Sequence, residues 1–150
     1  MGHTYASVHL HVVFSTRERQ RVIGSQWRQR LYEYMAGVAR KEFGRAIVVG
    51  GTDDHVHGLL SVGTDISIGE AMSKWKSLSS GWVHKTFPAM TNFGWQAGYG
   101  VFSVSLSSVD KVTRYIEDQV EHHRRYTFQE ELAALLKRHG IAYDAARLMA

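Results

Sequence analysis

Cysteine is absent from this 150-residue chain, and proline occurs only once, at Pro88. The absence of cysteine excludes a disulfide scaffold, a zinc finger and thiol chemistry, so any metal ion must be held by histidine, carboxylate, amide or water. The sequence also has no apolar run close to the roughly 20 residues of a membrane helix, and it begins without the apolar core of a signal peptide. We therefore expect a cytoplasmic protein that does not enter a membrane.

The hydrophobic residues make up 44% of the chain, which is enough for one apolar core. We expect a single globular domain that spans residues 1–150. The 18 lysines and arginines outnumber the 14 acidic residues and give a formal net charge of +4. A positive balance favours a polyanionic partner, because lysine and arginine are the main contacts to phosphate. Charge alone does not separate a nucleic-acid-binding protein from other basic proteins.

Hydrophobic periodicity predicts four strands and two helices in the order β-α-β-β-α-β. Apolar and polar residues alternate from Ser7 to Phe14, and helical spacing begins after Ser25, a candidate N-cap. Strands are predicted near residues 46–49, around residues 55–60 and within residues 93–105. A capping box at Ser67–Glu70 opens the second helix. This order predicts a ferredoxin-like (RRM-like) α+β fold with an antiparallel sheet.

Two additional helices are predicted after this unit. The first covers about residues 108–123, and the second begins at Thr127 and stops near Gly140. Two of the helices have clear apolar stripes. The stripe of the second helix contains Ile68, Met72, Trp75, Leu78 and Trp82, and that of the third contains Val109, Val112, Ile116 and Val120.

The segment His55-Val56-His57 lies in the third predicted strand. Successive strand residues point to opposite faces and rise about 3.3 Å each, so the two imidazoles stand roughly 6.6 Å apart on one side. That spacing lets both rings bind one metal ion. A similar pair, His9 and His11, lies in the first strand, and all four rings are expected on the open face of the sheet. An isolated pair of this kind also fits a polar sheet face with no ligand.

The predicted helix over residues 108–123 places Tyr115, Gln119 and His122 on a second stripe, about 90° from its apolar side. A tyrosine and an amide one turn apart therefore face the same way. Taken alone, this arrangement also fits a half-buried tyrosine beside a solvated glutamine. Tyr99 and Tyr126 are other candidate nucleophiles, but neither has a possible metal ligand four residues later on a helix.

Three segments carry a family resemblance. In chain order they are GTDDHVHGLL, FGWQAGYGVFSVS and VTRYIEDQVEHHRRYTFQEEL. Together they resemble the single-tyrosine transposases of the HUH endonuclease superfamily, the insertion-sequence-200-like group. The resemblance runs over nearly the whole chain. Two positions depart from the family pattern: Asp118 stands where asparagine is common, and Gly58 stands where a leucine often follows the histidine motif.

The resemblance implies a role for four residues. His55 and His57 match the histidine pair that holds a divalent metal ion, Mg²⁺ or Mn²⁺, and Gln119 matches the third ligand. Tyr115 matches the nucleophile, carried on a C-terminal helix. His122 and His123 are alternatives to Gln119 as the third ligand, since each lies within two turns of Tyr115.

The activity implied by the resemblance is that of a metal-dependent transposase acting on single-stranded DNA. Such an enzyme recognises DNA hairpins and cuts and rejoins the strand through a 5′-phosphotyrosine intermediate. The family also implies a homodimer in which the Tyr115 helix of one subunit completes the site of the other, with Ser103–Ser108 as a possible hinge. Candidate phosphate contacts, which a solvated charged face explains equally well, are Lys74, Lys76, Lys85, Arg114, Arg124 and Arg125.

Two other functions fit parts of the same pattern. A domesticated relative that cuts repeated palindromes without transposing has the same catalytic residues, so the sequence does not separate it from a mobile-element enzyme. A non-catalytic RNA- or single-strand-binding module shares the order of strands and helices, but it stacks bases on aromatic residues of the sheet. The predicted open face here carries histidines instead.

Overall fold

Four strands form one antiparallel sheet in the computed structural model, which describes residues 2–148. The strands are β1 (His9–Ser15), β2 (Gly44–Gly51), β3 (His55–Val62) and β4 (Gly100–Val104). They lie in the order β2-β3-β1-β4, and every neighbouring pair is antiparallel. The predicted ferredoxin-like α+β fold is confirmed, with β1 and β3 in the centre. The predicted single domain over 1–150 stays a prediction, and its residues 1, 149 and 150 lie outside the described part.

The helices begin and end close to their sequence signals. The Ser67 hydroxyl accepts a hydrogen bond from the Glu70 amide, and Thr127 and Glu130 form a complete capping box. The predicted Ser25 cap is wrong, because residues 25–27 form a turn and the helix begins at Arg28.

Within residues 2–148, no helix has the length and apolar character needed to cross a membrane. The helices are α1 (Arg28–Glu42), α2 (Ile68–Thr86), α3 (Val109–Glu117), α4 (Gln119–His122), α5 (Phe128–Arg138) and α6 (Ala145–Leu148).

Helices α1 and α2 cover one face of the sheet with an apolar core. The Phe14 ring packs edge-on against Trp75 and Trp95, at centroid distances of 5.7 and 4.9 Å. The Trp75 indole donates a hydrogen bond to the Met35 carbonyl at 2.8 Å, so its polar atom is satisfied inside the core. Other strand residues buried on this face are Leu10, Val12, Val56 and Leu60.

Gly58 explains how the large Trp75 ring fits against the sheet. A Cβ atom at Gly58 would lie 2.5 Å from the end of the Trp75 ring, which is too close for a real contact. The departure from the family pattern at this position therefore leaves room for an indole on the core side of β3. It lies on the face opposite His55 and His57, because side chains alternate along a strand.

The predicted apolar stripe of α2 is only partly correct. Ile68 and Leu78 are 38% and 39% exposed, whereas Ser79 is fully buried. The Ser79 hydroxyl donates to the Trp75 carbonyl at 2.6 Å and accepts from the Trp95 indole at 3.0 Å. A serine with its hydrogen bonds satisfied can occupy a core position. The pattern of apolar residues alone predicts Leu78 at that position instead.

The predicted continuous helix over residues 108–123 is wrong, because the chain breaks at Asp118. This residue has φ −98° and ψ 21°, outside regular helical geometry, and it separates α3 from α4. The break changes the helical phase for the residues that follow. Ile116 is fully buried as predicted, but Val120, expected on the same stripe, is 52% exposed.

Helices α3 and α5 cover the second face of the sheet, which the sequence predicted to be open. A small apolar cluster joins this face to α5, and it contains Val13, Phe102, Phe128 and Leu135. His55 and His57 have no exposed surface as a result. Helix α3 approaches β2 closely because residue 50 is glycine: a Cβ atom there would lie 2.6 Å from the Ile116 carbonyl oxygen.

Candidate active site

Three histidines meet on the covered face of the sheet. Strand alternation directs His55 and His57 of β3 to the same side, and His11 of β1 lies across the antiparallel pair. The His11 Nε2 and His57 Nδ1 atoms are 2.7 Å apart, which is a hydrogen bond between two buried rings. His9, on the same face of β1, has a buried Nδ1 with no hydrogen-bond partner among residues 2–148.

A carboxylate that the sequence did not predict lies at the centre of this face. The Glu131 side chain comes from α5 and is 3% exposed. Its Oε1 atom lies 3.0 Å from Nε2 of both His57 and His123, and 3.5 Å from Nε2 of His55. Its Oε2 atom accepts hydrogen bonds from the Tyr115 hydroxyl and from the Gln119 amide. One carboxylate therefore contacts the histidines and the tyrosine together.

The four predicted site residues come together within one chain. The Gln119 amide oxygen lies 3.0 Å from His55 Nε2 and 3.1 Å from His123 Nε2. The Tyr115 ring packs edge-on against His57, with a centroid distance of 5.8 Å. The tyrosine, the amide and the histidine pair thus form one continuous cluster, together with His123.

The histidine rings are oriented as metal ligands require. The Nδ1 atom of His55 lies 2.7 Å from an Asp54 carboxylate oxygen. That of His57 lies 2.7 Å from His11 Nε2, and that of His123 lies 2.8 Å from the Tyr126 carbonyl oxygen. Each Nδ1 can donate its proton to a group outside the cluster, which leaves an Nε2 lone pair directed at the centre. Outer partners of this kind fix the tautomer of metal-binding histidines.

The donor atoms are also close enough for one ion. Ligand atoms of His55, His57, His123 and Glu131 all lie within 4.8 Å of one another. The Gln119 oxygen is a fifth donor on the same side. When each Nδ1 atom carries the ring proton, three Nε2 lone pairs and two oxygen atoms face the same space with few hydrogen-bond donors between them. The residues therefore fit a divalent metal with mixed nitrogen and oxygen ligands.

Burial and charge set the protonation of the cluster. Burial, reinforced by the neighbouring His57, lowers the pKa of His11 to about 3, and burial also lowers the pKa of His57. Burial alone would raise the pKa of Glu131, but hydrogen bonds from His123 and His57 outweigh it and hold that pKa well below its usual range. Burial and the Glu131 charge raise the pKa of Tyr115. Burial alone would lower the pKa of His123, but its hydrogen bond to Glu131 outweighs burial and raises it. The favoured forms are therefore neutral rings at His11 and His57, a carboxylate at Glu131 and a protonated phenol at Tyr115.

The other candidates for third ligand and nucleophile occupy different places. His123 lies inside the cluster, whereas His122 Nε2 lies 3.4 Å from Glu131 Oε2, on the side of the tyrosine. The Tyr126 ring stacks on His122 and is half exposed. Tyr99 lines a separate cleft beside Lys76.

The six predicted phosphate contacts do not form one surface. Lys74 lies 3.6 Å from Glu42 in an ion pair. The Lys76 ammonium donates to the carbonyls of Gln96 and Gly98, at 2.6 and 2.8 Å, and burial lowers its pKa. Two of the six, Arg124 and Arg125, line a cleft that His123 also lines. Of the six predicted residues, Lys76 is partly buried, and the exposed ones are Lys74, Lys85, Arg114, Arg124 and Arg125.

The sequence did contain a signal for Glu131, which was missed, and for His123, which was predicted only as an alternative to Gln119. Glu131 occupies the buried stripe of α5, between Phe128 and Leu135. A carboxylate in the apolar phase of a helix indicates a buried partner. His123 follows Gln119 by four residues, which is one helical turn. The His123 Nε2 atom therefore points to the same place as the Gln119 side chain.

Comparison with known proteins gives one family. The model of the family described as "Transposase IS200 like" matches residues 4–119 of this chain. That range includes β1 through α3, the histidine pair, Tyr115 and Gln119, and it ends before His123 and Glu131. No curated protein matches the chain.

Two solved structures share the fold. One is a candidate transposase from Deinococcus radiodurans, with 22% sequence identity and a TM-score of 0.62; the match covers 79% of this chain and 96% of that one. The other is a REP-associated tyrosine transposase bound to a REP hairpin, with 13% identity and a TM-score of 0.54. This second match covers 77% of this chain and 70% of the other.

Proposed function

Because the chain belongs to the IS200-like transposase family, we propose that it cuts and rejoins hairpin-bearing single-stranded DNA through a covalent link to Tyr115. The observation that carries the proposal is the position of Glu131. One of its oxygens accepts a hydrogen bond from the Tyr115 hydroxyl, and the other faces three histidine nitrogens. A nucleophile and a set of metal ligands therefore meet at one buried carboxylate.

The residues that would hold the metal are His55, His57, His123, Glu131 and Gln119. When bound, Mg²⁺ or Mn²⁺ would polarise the scissile phosphate and stabilise the negative charge that develops on its oxygens. The three imidazoles favour Mn²⁺ over Ca²⁺, and Mg²⁺ suits the carboxylate and amide oxygens. The Asp54, His11 and Tyr126 contacts keep the three rings in ligand orientation.

Glu131 also has a role in activating the nucleophile. Tyrosine, with an ordinary pKa near 10, is a poor nucleophile at neutral pH, and in this site its pKa is higher still. The Glu131 Oε2 atom accepts a hydrogen bond from the phenol. Because the Glu131 pKa is depressed, the proton stays on the phenol in the resting site, and Glu131 would take it only as the bond from the Tyr115 oxygen to phosphorus forms. As the Tyr115 oxygen attacks phosphorus, the bond from phosphorus to the 3′-oxygen breaks, and that oxygen leaves as a hydroxyl after gaining the proton that Tyr115 gave to Glu131. One phosphodiester replaces another of similar energy, so rejoining needs no ATP.

The proposed reaction has a direct test. The protein is incubated with Mn²⁺ and an end-labelled single strand that carries a hairpin, and covalent adducts are separated in denaturing gels. Tyr115→Phe removes only the hydroxyl, so we expect the adduct to disappear while hairpin binding remains. Tyr99→Phe is the matched control and should form normal adduct. An adduct that persists in Tyr115→Phe, or that maps to another tyrosine, would contradict the assignment.

The products of the same assay separate transposition from simple cutting. The label is carried at the 3′ end, because the fragment that remains linked to Tyr115 through its 5′-phosphate contains that end. An enzyme that joins this 5′-phosphate to the 3′-hydroxyl of a second strand is a transposase in the full sense. Cleavage with no joining product would instead support the domesticated palindrome nuclease. A base-stacking module has less support, because α3 and α5 cover the sheet face that such a module uses and its central side chains are histidines.

The proposed assembly is a homodimer with exchanged Tyr115 helices. In the single chain, Tyr115 lies beside His57 of the same chain, and the short segment Ser103–Ser108 connects β4 to α3. Mixing Tyr115→Phe with His57→Ala tests the exchange. If sites are shared between subunits, a mixed dimer contains one intact composite site and cleavage returns. Heterodimers that are confirmed by mass but remain inactive would support a site built within one chain.

A further inference from the structure

Five arginines converge on a cleft beside the histidine cluster. The cleft has a volume of about 640 Å³, and His123, one of the proposed metal ligands, forms part of its wall. Arg19, Arg21 and Arg28 come from the start of α1 and the connection that precedes it. Arg124 and Arg125 come from the turn between α4 and α5. Two distant parts of the sequence therefore bring positive charge to one place.

The charge of this cleft, which we call the arginine cleft, is positive overall. Its walls carry five arginines and three carboxylates, those of Glu18, Asp53 and Asp54. The Asp54 carboxylate already contacts His55 Nδ1 at 2.7 Å, which reduces its effect on a ligand. Arginine remains charged at all physiological pH values and binds phosphate in a planar, two-pronged geometry. Arg124 pairs with Glu121 at 3.2 Å, but both side chains are exposed, so this ion pair is weak and a phosphate can replace it. The chemistry of the walls therefore favours phosphate groups.

The backbone that presents Arg19 is strained. Glu18 and Arg19 have φ values of 56° and 52°, in the left-handed region that residues other than glycine rarely adopt. Hydrogen bonds hold the turn in place: the Thr16 hydroxyl donates to the Gln20 carbonyl at 2.7 Å, and the Thr16 amide donates to the Asp54 carbonyl at 2.8 Å. Strain that is held in this way is typical of functional sites. Here it fixes an arginine at the wall of the cleft.

An aromatic surface completes the cleft. Tyr126 lines it and is 50% exposed, and its ring stacks on His122 at a centroid distance of 5.1 Å and an angle of 28°. Proteins that bind unpaired nucleic acid combine cationic side chains along the backbone with aromatic rings on which bases stack. The arginine cleft has both features within reach of the cluster.

We infer that the arginine cleft binds the unpaired DNA segment next to the scissile phosphate, with phosphates on Arg19 and Arg124 and a base stacked on Tyr126. This inference rests on the proposed function, because that function supplies the single strand. Lys74, Lys76 and Lys85, which the sequence suggested as phosphate contacts, do not line the cleft. The path of the strand is therefore set by arginines from the β1–α1 connection and the α4–α5 turn.

The test measures binding in the absence of cleavage. All variants carry His57→Ala, and fluorescence anisotropy follows a short unpaired oligonucleotide over a range of salt concentrations. We expect Arg19→Ala and Arg124→Ala each to weaken binding about tenfold, since each loses a charge-assisted contact to phosphate. The slope of log affinity against log salt should fall by about 0.7 for each lost phosphate contact on a single strand. Arg40→Ala, an exposed arginine of α1 outside the cleft, is the control.

Stacking on Tyr126 has its own test. Tyr126→Ala should weaken binding of the ordinary strand about tenfold but should leave binding of an abasic strand unchanged. Arg124 and Tyr126 lie in an exposed turn, so neither variant should prevent folding, and thermal melting checks this.

The results separate this inference from the proposed function. Unchanged affinity and salt slope in both arginine variants would overturn the arginine cleft, even if wild-type protein forms the Tyr115 adduct. An equal loss in Arg40→Ala, or tighter binding of a blunt duplex than of the single strand, would overturn it as well. If wild-type protein forms no adduct but the arginine variants still bind unpaired DNA more weakly, the proposed reaction is wrong and the arginine cleft is still supported as a DNA-binding site.

Discussion

The two faces of the sheet are built from the same strands and have opposite characters. Toward α1 and α2, strand residues such as Phe14 and Val56 pack into an apolar core around Trp75. Toward α3 and α5, the alternating residues His55 and His57 join a network of hydrogen bonds. The difference shows how a small fold can separate two environments: alternation along two central strands gives one face to the apolar core and the other to a buried polar cluster, the candidate site.

The polar face is costly to keep buried. A carboxylate removed from water is stable only when its oxygens have partners, and Glu131 has partners on both of them. A small apolar cluster around Phe102 and Phe128 supplies the burial that excludes water. Changes on the apolar face should therefore reduce stability, and changes on the polar face should reduce metal binding and cleavage first.

The largest effect on stability is expected at Trp75. Trp75→Ala should lower the free energy of unfolding by about 3–5 kcal/mol, because it empties a fully buried site between Phe14 and Phe43. Denaturant unfolding measures this value. Leu78→Ala, on the same helix but 39% exposed, should cost less than about 1 kcal/mol. Similar losses for the two variants would contradict the assignment of Trp75 to the centre of the core.

The next effect comes from the contact that seats α3 on the sheet. Gly50→Ala would bring a methyl group to 2.6 Å from the Ile116 carbonyl, so α3 must move. We expect a stability loss of about 1–3 kcal/mol and a fall of at least tenfold in adduct formation, because Tyr115 moves with the helix. Stability and adduct yield are measured in parallel.

Gly37→Ala is the control for this variant. Gly37 lies in α1 with nothing within 4 Å of an added Cβ, so alanine there should leave adduct formation unchanged. Normal adduct formation by Gly50→Ala would show that the close approach of α3 to β2 is not needed for the site.

Much of this comparison could be predicted from the sequence, because it follows from local periodicity. Alternation around Val12 and Val56 identified two strands with one buried face, and the same alternation put His55 and His57 on the other face. The order of strands and helices then predicted the fold. These features depend on neighbouring residues, so a single sequence contains them.

The parts that failed depend on tertiary contacts. The break at Asp118 changes the helical phase and leaves Val120 at the surface, and no local pattern indicated this break. Glu131 lies 74 residues from His57 along the chain, and their contact exists only because α5 folds over the sheet. The face predicted to be open is covered for the same reason.

A smaller effect is expected when the charge of Glu131 is removed. Glu131→Gln keeps the shape of the side chain but loses the negative charge of the proposed metal ligand. The Mn²⁺ concentration needed for half of the maximal rise in melting temperature should increase at least tenfold. This measurement follows metal binding without cleavage. Glu130→Gln, at the adjacent exposed position, should bind Mn²⁺ as wild type does, and an unchanged response in Glu131→Gln would exclude that carboxylate from the ligand set.

The smallest effect at neutral pH, and the sharpest contrast between the faces, is expected at Tyr32 on the apolar side. Its hydroxyl is buried with no hydrogen-bond partner among residues 2–148, and burial raises its pKa to about 12. Tyr32→Phe should change stability at pH 7 by less than about 1 kcal/mol, because no hydrogen bond is lost. Since the folded-state pKa lies above the unfolded value near 10, the contribution of this tyrosine is fully present below pH 10 and is lost as pH rises toward 12. That loss should reach on the order of 2 kcal/mol in wild-type protein and should disappear in Tyr32→Phe.

Tyr115→Phe, on the polar face, should instead leave the Tyr32 part of the alkaline loss intact. Unfolding by urea at several pH values between 8 and 12 measures both curves, and an unchanged alkaline loss in Tyr32→Phe would mean that this hydroxyl is not buried in the folded protein.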